Sequence, residues 1–215
     1  MDMRFSKVWA VVLLWLGCGL AAQAQLGAYG LFSATGLSGI QCYDAQGKCS
    51  SSGGKVNLTG LSGGLYYDFK NIGPVRLGVD FRGGAGHSNK SATSSAGGNG
   101  ATGQQDFLAG VRGSIRTPIS WLRPYAQVSA GWVHSDATEP FGTTTTGVVG
   151  GPRLFDNFVA YEGFVGADIN VLPMLDLRAI ELGIGNMNRF GTGSGSSSAG
   201  IKSIGIGVVL HMPSK

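Results

Sequence analysis

Two histidine–serine pairs are the residues of this sequence whose types first suggest catalysis. His87 precedes Ser88, and His134 precedes Ser135 and Asp136. A histidine within hydrogen-bond reach of a serine hydroxyl can activate that serine as a nucleophile, so both pairs invite a hydrolase interpretation. In an extended strand, however, adjacent side chains point to opposite faces, so neither pair can act together directly. A pairing across strands remains open, but we interpret both histidines as solvated residues at strand ends.

The sequence offers no other pattern of catalytic or cofactor-binding residues. It contains no CxxC motif and no pair of acidic residues with a histidine at metal-ligand spacing. The segments Gly183-Ile184-Gly185 and Gly205-Ile206-Gly207 lack the third glycine of a dinucleotide site. We therefore expect no catalytic site, no metal and no cofactor. Lys and Arg form no block interleaved with aromatic residues, so we also expect no nucleic-acid partner.

The charged residues follow a pattern that indicates a buried network. In the segment Val75 to Arg82, every second residue is apolar and the residues between them are charged or glycine. A strand sends alternate side chains to opposite faces, so one face carries Arg76, Asp80 and Arg82. When the same alternation is applied to the other predicted strands, the inward-facing positions carry positive and negative residues in equal number. A buried charged network requires this balance. The predicted inward set is Arg76, Arg82, Arg112, Arg116, Arg123 and Arg178 with Asp68, Asp80, Asp106, Glu162, Asp168 and Glu181.

The elements that must position these charges are segments in which apolar and polar residues alternate. Each is near the length that a tilted membrane strand needs, about 9–11 residues. In the seventh segment, Asp176 and Arg178 share one face while Glu181 falls on the other, so we predict a β-bulge near Ala179 that realigns them. The alternation predicts eight strands: Leu26–Thr35, Leu58–Phe69, Val75–Arg82, Gln105–Thr117, Leu122–Val133, Asn157–Ile169, Leu175–Gly185 and Ile201–Leu210.

The connections between these segments alternate between long and short. With both termini on one side of a membrane, every long connection falls on the other side. An even strand number, short periplasmic turns and longer external loops are typical of outer-membrane β-barrels. The long connections are residues 36–57, 83–104, 135–155 and 185–200, and the short ones are residues 71–74, 118–121 and 170–174.

Antiparallel pairing of the third and fourth predicted strands suggests partners within the inward set. We expect Asp80 to meet Arg112 or Arg116, and Arg82 to lie near Asp106. An eight-stranded barrel has room only for the side chains that fill it. Planar guanidinium groups can bridge two carboxylates at once. We therefore predict a lumen that is closed by charge pairs.

The N-terminal segment has the composition of an export signal. Arg4 and Lys7 form a basic start, and Val8 to Leu20 is an apolar run. Ala22-Gln23-Ala24 matches the small-x-small pattern of a cleavage site. The apolar run is shorter than the roughly 20 residues of a membrane-spanning helix. We therefore interpret residues 1–24 as a cleaved signal peptide.

Cleavage at this site leaves residues 25–215 as a single β-barrel domain. The alternative is a lipoprotein signal that uses Gly17-Cys18, although Trp15 stands where such a signal carries leucine. Cleavage removes the first cysteine and leaves Cys42 and Cys49 in one short polar segment. An even cysteine number in an exported chain predicts a disulfide, because the compartment is oxidising.

A soluble barrel of the lipocalin kind is the rival fold, because alternation alone does not say which face points inward. Two features favour the membrane barrel. One face mixes Gly and Ser with Arg and Asp, as a narrow polar interior does. Aromatic residues lie near strand ends, where membrane barrels carry aromatic girdles. These aromatic residues are Tyr67, Phe69, Trp121, Trp132, Phe155 and Phe190.

With these features, the chain resembles the eight-stranded outer-membrane β-barrels of the OmpA, OmpX and neisserial Opa kind. The resemblance covers Gln25 to Met212 and rests on pattern. The last strand, Gly205 to Met212, is similar to the C-terminal assembly signal of such barrels. It departs at Met212, where the family usually carries a terminal aromatic residue.

The resemblance implies an integral protein of the bacterial outer membrane with a structural or surface-interaction role and no enzymatic activity. Its implied partners are outer-membrane lipid, the outer-membrane assembly machinery and an extracellular partner that binds the long loops. A narrow porin-like channel for small solutes is the first alternative. A lipid-modifying barrel enzyme that uses His87 or His134 is the second.

The cysteine pair gives the first testable prediction. Cys42 and Cys49 form a disulfide in the exported protein, and its short closed loop stabilises by less than the roughly 3 kcal/mol of a 15-residue loop. Mass analysis of the non-reduced protein should show a mass lower than that of the reduced form by two hydrogen atoms. Two free thiols would contradict the prediction.

Overall fold

The wall of the barrel consists of strands that pair in chain order. The computed structural model describes residues 25–43, 49–88, 102–135, 156–190 and 198–212. All neighbouring strands are antiparallel, and the last closes on the first, which confirms the predicted all-β, eight-stranded up-and-down barrel. The strands are β1 (Gln25–Tyr43), β2 (Cys49–Ile72), β3 (Val75–Ser88), β4 (Thr102–Ile115), β5 (Leu122–Ser135), β6 (Asp156–Leu172), β7 (Leu175–Arg189) and β8 (Ser198–His211).

Several predicted segments lie outside this description. The signal peptide, residues 1–24, is among them, so its cleavage stays a prediction. Within the described residues, the structure contains no helix that is long and apolar enough to cross a membrane. One end of the barrel carries the chain termini and the short turns, and we call it the turn end. The opposite end, toward which β1 runs, is the loop end.

The first two strands are longer than the sequence predicted. β1 and β2 have 19 and 24 residues, so most of the expected long loop at residues 36–57 is a two-stranded extension. The expected loop was wrong because alternation persists there: Leu37, Val56 and Leu58 are buried between polar or small neighbours. A register shift between Ser38 and Ile40 interrupts the pairing of β1 with β2.

The predicted β-bulge in β7 is present. Asp168 pairs with Arg178 and Ala167 pairs with Ile180, so Ala179 is the extra residue opposite β6. The register with β8 shifts between Arg178 and Glu181 as well. An extra residue in a strand switches the side chains that follow it to the opposite face of the sheet. Arg178 and Glu181 therefore both point into the lumen, although three positions separate them.

The outer surface of the barrel is apolar. Val128, Leu61 and Ile184 expose 71%, 69% and 65% of their surface, and their strand neighbours on either side are less exposed. Trp121, near a turn, and Phe190, at the loop end, are also exposed. A soluble monomer rarely exposes so continuous an apolar patch. The lipocalin-like alternative was therefore wrong, because the apolar face points outward.

The loop end of the lumen contains a contiguous apolar cluster. Its residues are buried on the inner face, where the sequence suggested small and charged residues. The described members come from every strand except β3, so the cluster reaches across the barrel. We call this cluster the apolar cap: Leu37, Val56, Leu58, Leu108, Val133, Phe158, Ala160, Phe164, Met187, Ala199 and Ile201.

The outward face predicts a position-dependent cost for an added charge. Val128 lies near the middle of β5, whereas Val171, exposed by 58%, lies near the turn end of β6. Arginine costs about 2–4 kcal/mol at the bilayer midplane and about 0–1 kcal/mol near the interface. Denaturant unfolding in lipid vesicles should therefore show a larger loss for Val128→Arg than for Val171→Arg. Equal losses would argue against this placement in the bilayer.

Candidate functional site

The centre of the lumen is filled by an alternating stack of aromatic rings and guanidinium groups. Arg112 lies 4.1 Å from the ring centre of Tyr66 and 4.2 Å from that of Tyr125. Arg178 lies 4.4 Å from the Tyr125 ring and 4.5 Å from the Tyr29 ring. Each of these distances is within cation–π range.

The stack continues toward the loop end through a third arginine. Arg82 lies 5.4 Å from the Tyr29 ring and 3.9 Å from the Phe164 ring. Guanidinium planes stack on aromatic faces and still present their N–H groups at the edge. We call the whole set the lumen stack, and its order is Tyr66, Arg112, Tyr125, Arg178, Tyr29, Arg82 and Phe164.

Two carboxylates join the three arginines along the edge of the stack. Asp168 accepts a hydrogen bond from Arg112 at 2.9 Å and two from Arg178, at 2.7 and 3.2 Å. Glu181 accepts two from Arg82, at 2.7 and 2.8 Å, and one from Arg178 at 3.0 Å. Tyr125 also donates its hydroxyl proton to Glu181. Each carboxylate therefore serves two arginines, which compensates charges that lie far from water.

Asp80 has neutral partners, contrary to the pairing expected from the sequence. It accepts hydrogen bonds from the Tyr29 hydroxyl at 2.9 Å and from Gln127 Nε2 at 2.7 Å. Arg112, its expected partner, binds Asp168 across the lumen instead. The expectation was wrong because inward side chains reach across the lumen as well as to the adjacent strand.

Glycines on the inner face make room for the rings of the stack. A Cβ atom on Gly166 would lie 2.6 Å from the hydroxyl oxygen of Tyr125. A Cβ atom on Gly64 would lie 2.6 Å from the hydroxyl oxygen of Tyr29. Real Cβ atoms do not approach other atoms so closely, so the hydroxyl end of each tyrosine lies against the inner wall where a glycine leaves space. Glycine at these two inner-face positions is thus a packing requirement of the stack.

A second group of charges occupies the turn end. Asp176 accepts a hydrogen bond from Arg123 at 3.2 Å, and His211 Nδ1 lies 3.4 Å from the same carboxylate. Arg76 donates a hydrogen bond to the Gln25 side chain. The Arg123 side chain is one-third exposed, so this group is in contact with water and its pair is less strongly held than those of the stack.

The remaining residues of the predicted inward set lie at different levels. Asp68 is buried near the turn end, and Glu162 is buried on the loop-end side of the stack. Asp106 is half-buried and lines the same cavity as Glu162. Arg116 is exposed, which corrects its assignment to the interior. It follows the last residue of β4, and its backbone amide donates to the carbonyl of Pro74 in the neighbouring turn.

Sequence reasoning did not identify the uncharged part of the site. Tyr29, Tyr66 and Tyr125 hold the arginines, and Gln127 supports Asp80. Asp176 was also left out, although it shares the face of Arg178. The alternation of the strands could have identified them. These residues fall on the same face of each strand as the charged residues, whereas the aromatic residues of a membrane girdle fall on the apolar face.

The histidine–serine pairs show no hydrolytic arrangement within the described residues. His87 is exposed while Ser88 is buried, so their side chains lie on opposite faces of β3. His134 stacks on Trp132 with ring centres 5.4 Å apart, and its Nδ1 lies 3.0 Å from Asn157 Oδ1. The part of the chain that the structure describes also contains no group of three or more His, Cys, Asp or Glu residues that could hold a metal ion.

The predicted disulfide falls where only the backbone is described. Cys42 pairs with Ser50, and Cys49 pairs with Tyr43, at the ends of β1 and β2. The two cysteines are therefore on adjacent strands at neighbouring register positions. The side chains of both residues lie outside the description, so the disulfide stays a prediction.

A closed antiparallel barrel with an apolar outer surface and a charged lumen is an integral outer-membrane β-barrel. No family model matches the sequence, and no curated protein sequence matches it significantly. Among solved structures, the chain is similar to Neisserial surface protein A, with 14% identity over 87% of this chain and 96% of that chain and a TM-score of 0.48.

Two further solved structures are similar in the same way. Ail, the attachment invasion locus protein of Yersinia pestis, has 10% identity over 88% of this chain and 98% of that chain, with a TM-score of 0.44. The outer membrane protein OprG from Pseudomonas aeruginosa has 9% identity over 89% of this chain and 97% of that chain, with a TM-score of 0.46. The strand pairing described above defines the fold of this chain independently of these likenesses.

The packing of tyrosine on glycine gives a testable prediction with a control on the same strand. In Gly166→Ala, the new methyl group meets Tyr125 and the backbone oxygen of Ile180, 2.8 Å away. Overpacking of this kind costs about 1–3 kcal/mol. In Gly163→Ala, the nearest atom is 3.9 Å away, so we expect little change. Denaturant unfolding of the refolded barrel measures both variants, and equal stability would contradict the proposed packing.

Proposed function

We propose that this protein is a closed barrel with a structural or surface-interaction role at the bacterial outer membrane, and neither an open pore nor an enzyme. The observation that carries this proposal is the lumen stack, which crosses the interior as a continuous column of rings and guanidinium groups. Side chains alone are enough to fill an eight-stranded barrel. A column that uses large planar groups leaves little room for a solute path.

The free-energy cost of separating the buried charge pairs of the stack supports a barrel that stays closed. Arg178 is fully buried, and Asp168 and Glu181 are exposed by 2% and 4%. Moving one of these groups aside leaves a buried partner without compensation, which costs about 3–5 kcal/mol. Such openings are therefore rare at equilibrium.

The apolar cap provides a second obstacle in series with the stack. Val133, Phe158 and Met187 are fully buried within it, on β5, β6 and β7. Dry apolar constrictions oppose the passage of ions even without charge. A solute that entered from the loop end would meet the cap first and the stack second.

The surface role rests on the arrangement of the connections. The strands at the turn end are joined by short segments, such as Gly73-Pro74 and Pro173-Met174. The connections at the loop end span residues 44–48, 89–101, 136–155 and 190–197. We propose that the loop end faces the exterior and binds an extracellular partner there, since variable loops on a rigid scaffold commonly carry recognition.

The remaining partners follow from the architecture. Outer-membrane lipid covers the apolar wall. We also propose that the chain is exported by cleavage of residues 1–24 and inserted by the outer-membrane assembly machinery through its last strand. The porin-like and enzymatic alternatives have less support, because the lumen is filled and because His87 and Ser88 lie on opposite faces.

Conductance in planar bilayers tests the proposal. We expect no steady conductance from the wild type, and none from Arg82→Ser/Glu181→Ser, because the apolar cap still closes the lumen. The double change removes both charges of a pair, and Arg178, the other partner of Glu181, keeps its bonds to Asp168. We expect openings when it is combined with Phe158→Ala/Met187→Ala.

The control replaces the pair at the turn end by Arg123→Ser/Asp176→Ser in the same cap background. This pair lies in the water-exposed group, so we expect the barrel to stay closed. Retention of the heat-sensitive gel shift verifies folding of each variant. Steady conductance by the wild type would overturn the closed-barrel proposal.

A further inference from the structure

A small cavity lies beside Phe164, where the lumen stack meets the apolar cap. Its polar lining is rich in oxygen atoms: the side chains of Asp106, Glu162 and Gln104, with serine and threonine hydroxyls from other strands, and Arg82 and Glu181 of the stack on one side. The space open to the centres of water molecules is about 40 Å³. One water needs roughly 10–15 Å³ on this measure, so the cavity has room for an ion with part of its hydration shell. We call it the acidic chamber.

Charge balance distinguishes the acidic chamber from the rest of the lumen. In the stack, Arg82, Arg112 and Arg178 balance Asp80, Asp168 and Glu181. At the turn end, Arg76 and Arg123 equal Asp68 and Asp176 in number; Arg123 pairs with Asp176, and Asp68 forms no ion pair among the described residues. Asp106 and Glu162 remain, and among the described residues neither forms an ion pair or a hydrogen bond. The excess negative charge of the described lumen is therefore concentrated in this chamber.

Arg82 is the nearest cation to Asp106 and Glu162, but three of its five N–H groups donate to residues of the stack. It lines the chamber at the boundary with the stack. Its Nε donates to the Tyr29 hydroxyl at 3.0 Å, and Nη1 and Nη2 both donate to Glu181. Its charge is shared with Glu181 through the bidentate pair, and Arg82 forms no hydrogen bond or ion pair with Glu162 or Asp106 among the described residues.

Gln104 provides an independent indication of a ligand. Its side chain is buried, with 7% of its surface exposed, and it lines the chamber. Its Oε1 atom is buried and has no hydrogen-bond donor within the described part of the chain. Glu162 is similarly enclosed, with 6% exposure. A buried acceptor without a donor is unfavourable, and a buried carboxylate without a counter-charge is more so.

We propose that the acidic chamber binds one hard divalent cation, with Ca²⁺ favoured over Mg²⁺. Asp106 and Glu162 supply the charge, and Gln104 Oε1 and hydroxyl groups supply further oxygen ligands. Ca²⁺ accepts irregular sets of carboxylate, amide, hydroxyl and water oxygens, whereas Mg²⁺ demands a regular octahedron. The ion would sit between the two closures of the lumen and satisfy the groups that the protein leaves without donors.

Calorimetric titration of the folded, calcium-depleted barrel with Ca²⁺ in detergent tests the site. We expect one Ca²⁺ per barrel and a higher unfolding temperature when Ca²⁺ is present. Glu162→Gln should weaken binding by about tenfold or more, since affinity follows the charge count of the ligands. Asp106→Asn, at a more exposed position, should weaken binding in the same way if Glu162→Gln fails to fold.

Two comparisons separate a cation site from a merely structural role. In calcium-free buffer, Glu162→Gln should unfold at the same temperature as the wild type or a higher one, because an uncompensated buried charge is removed. The control Asp156→Asn changes the same charge at the loop end but outside the chamber, where Asp156 pairs with Arg189. It should bind Ca²⁺ as the wild type does.

Three results would overturn the proposal. One is the absence of saturable Ca²⁺ binding by the wild type. Another is wild-type affinity in both Glu162→Gln and Asp106→Asn. The third is a lower unfolding temperature of Glu162→Gln without calcium, which would mean that a donor within the protein already holds this carboxylate.

Discussion

The stacking of three buried guanidinium groups between aromatic rings is the interaction on which the rest of this structure depends. A guanidinium group stays protonated even inside a narrow barrel, so its positive charge must be compensated by a negative charge nearby. Asp168 and Glu181 provide that balance, each between two arginines. The β-bulge at Ala179 is necessary for this geometry, because without it Arg178 and Glu181 would lie on opposite faces of β7.

The stack also determines the composition of the wall. Rings that lie across the lumen need strand positions without a side chain, which explains glycines such as Gly64 and Gly166. The outer face has the reverse requirement, since large apolar groups such as Val128 and Leu61 contact lipid. Along each strand, side chains that contact the lipid hydrocarbon therefore alternate with side chains that pack inside the lumen.

Three levels of the lumen differ in how their polar groups are satisfied. The turn end, with Arg123 and Asp176, is partly hydrated. The stack is dry and internally balanced. The acidic chamber carries Asp106 and Glu162 without protein donors in the described chain. Above it, the apolar cap occupies the loop end of the lumen.

The sequence by itself determined the barrel, because period-two alternation and the alternating lengths of the connections define eight strands and their two faces. It also determined the bulge near Ala179, since the phase of the charged residues breaks there. It did not determine the partners: Asp80 binds Tyr29 and Gln127, and Arg112 binds Asp168 two strands away. Nor did it determine the extension of β1 and β2 or the apolar cap. Strand phase fixes only the face of a side chain. Which inward groups meet depends on strand register, on the curvature of the closed wall and on side chains that reach across the lumen, and these exist only in the tertiary structure.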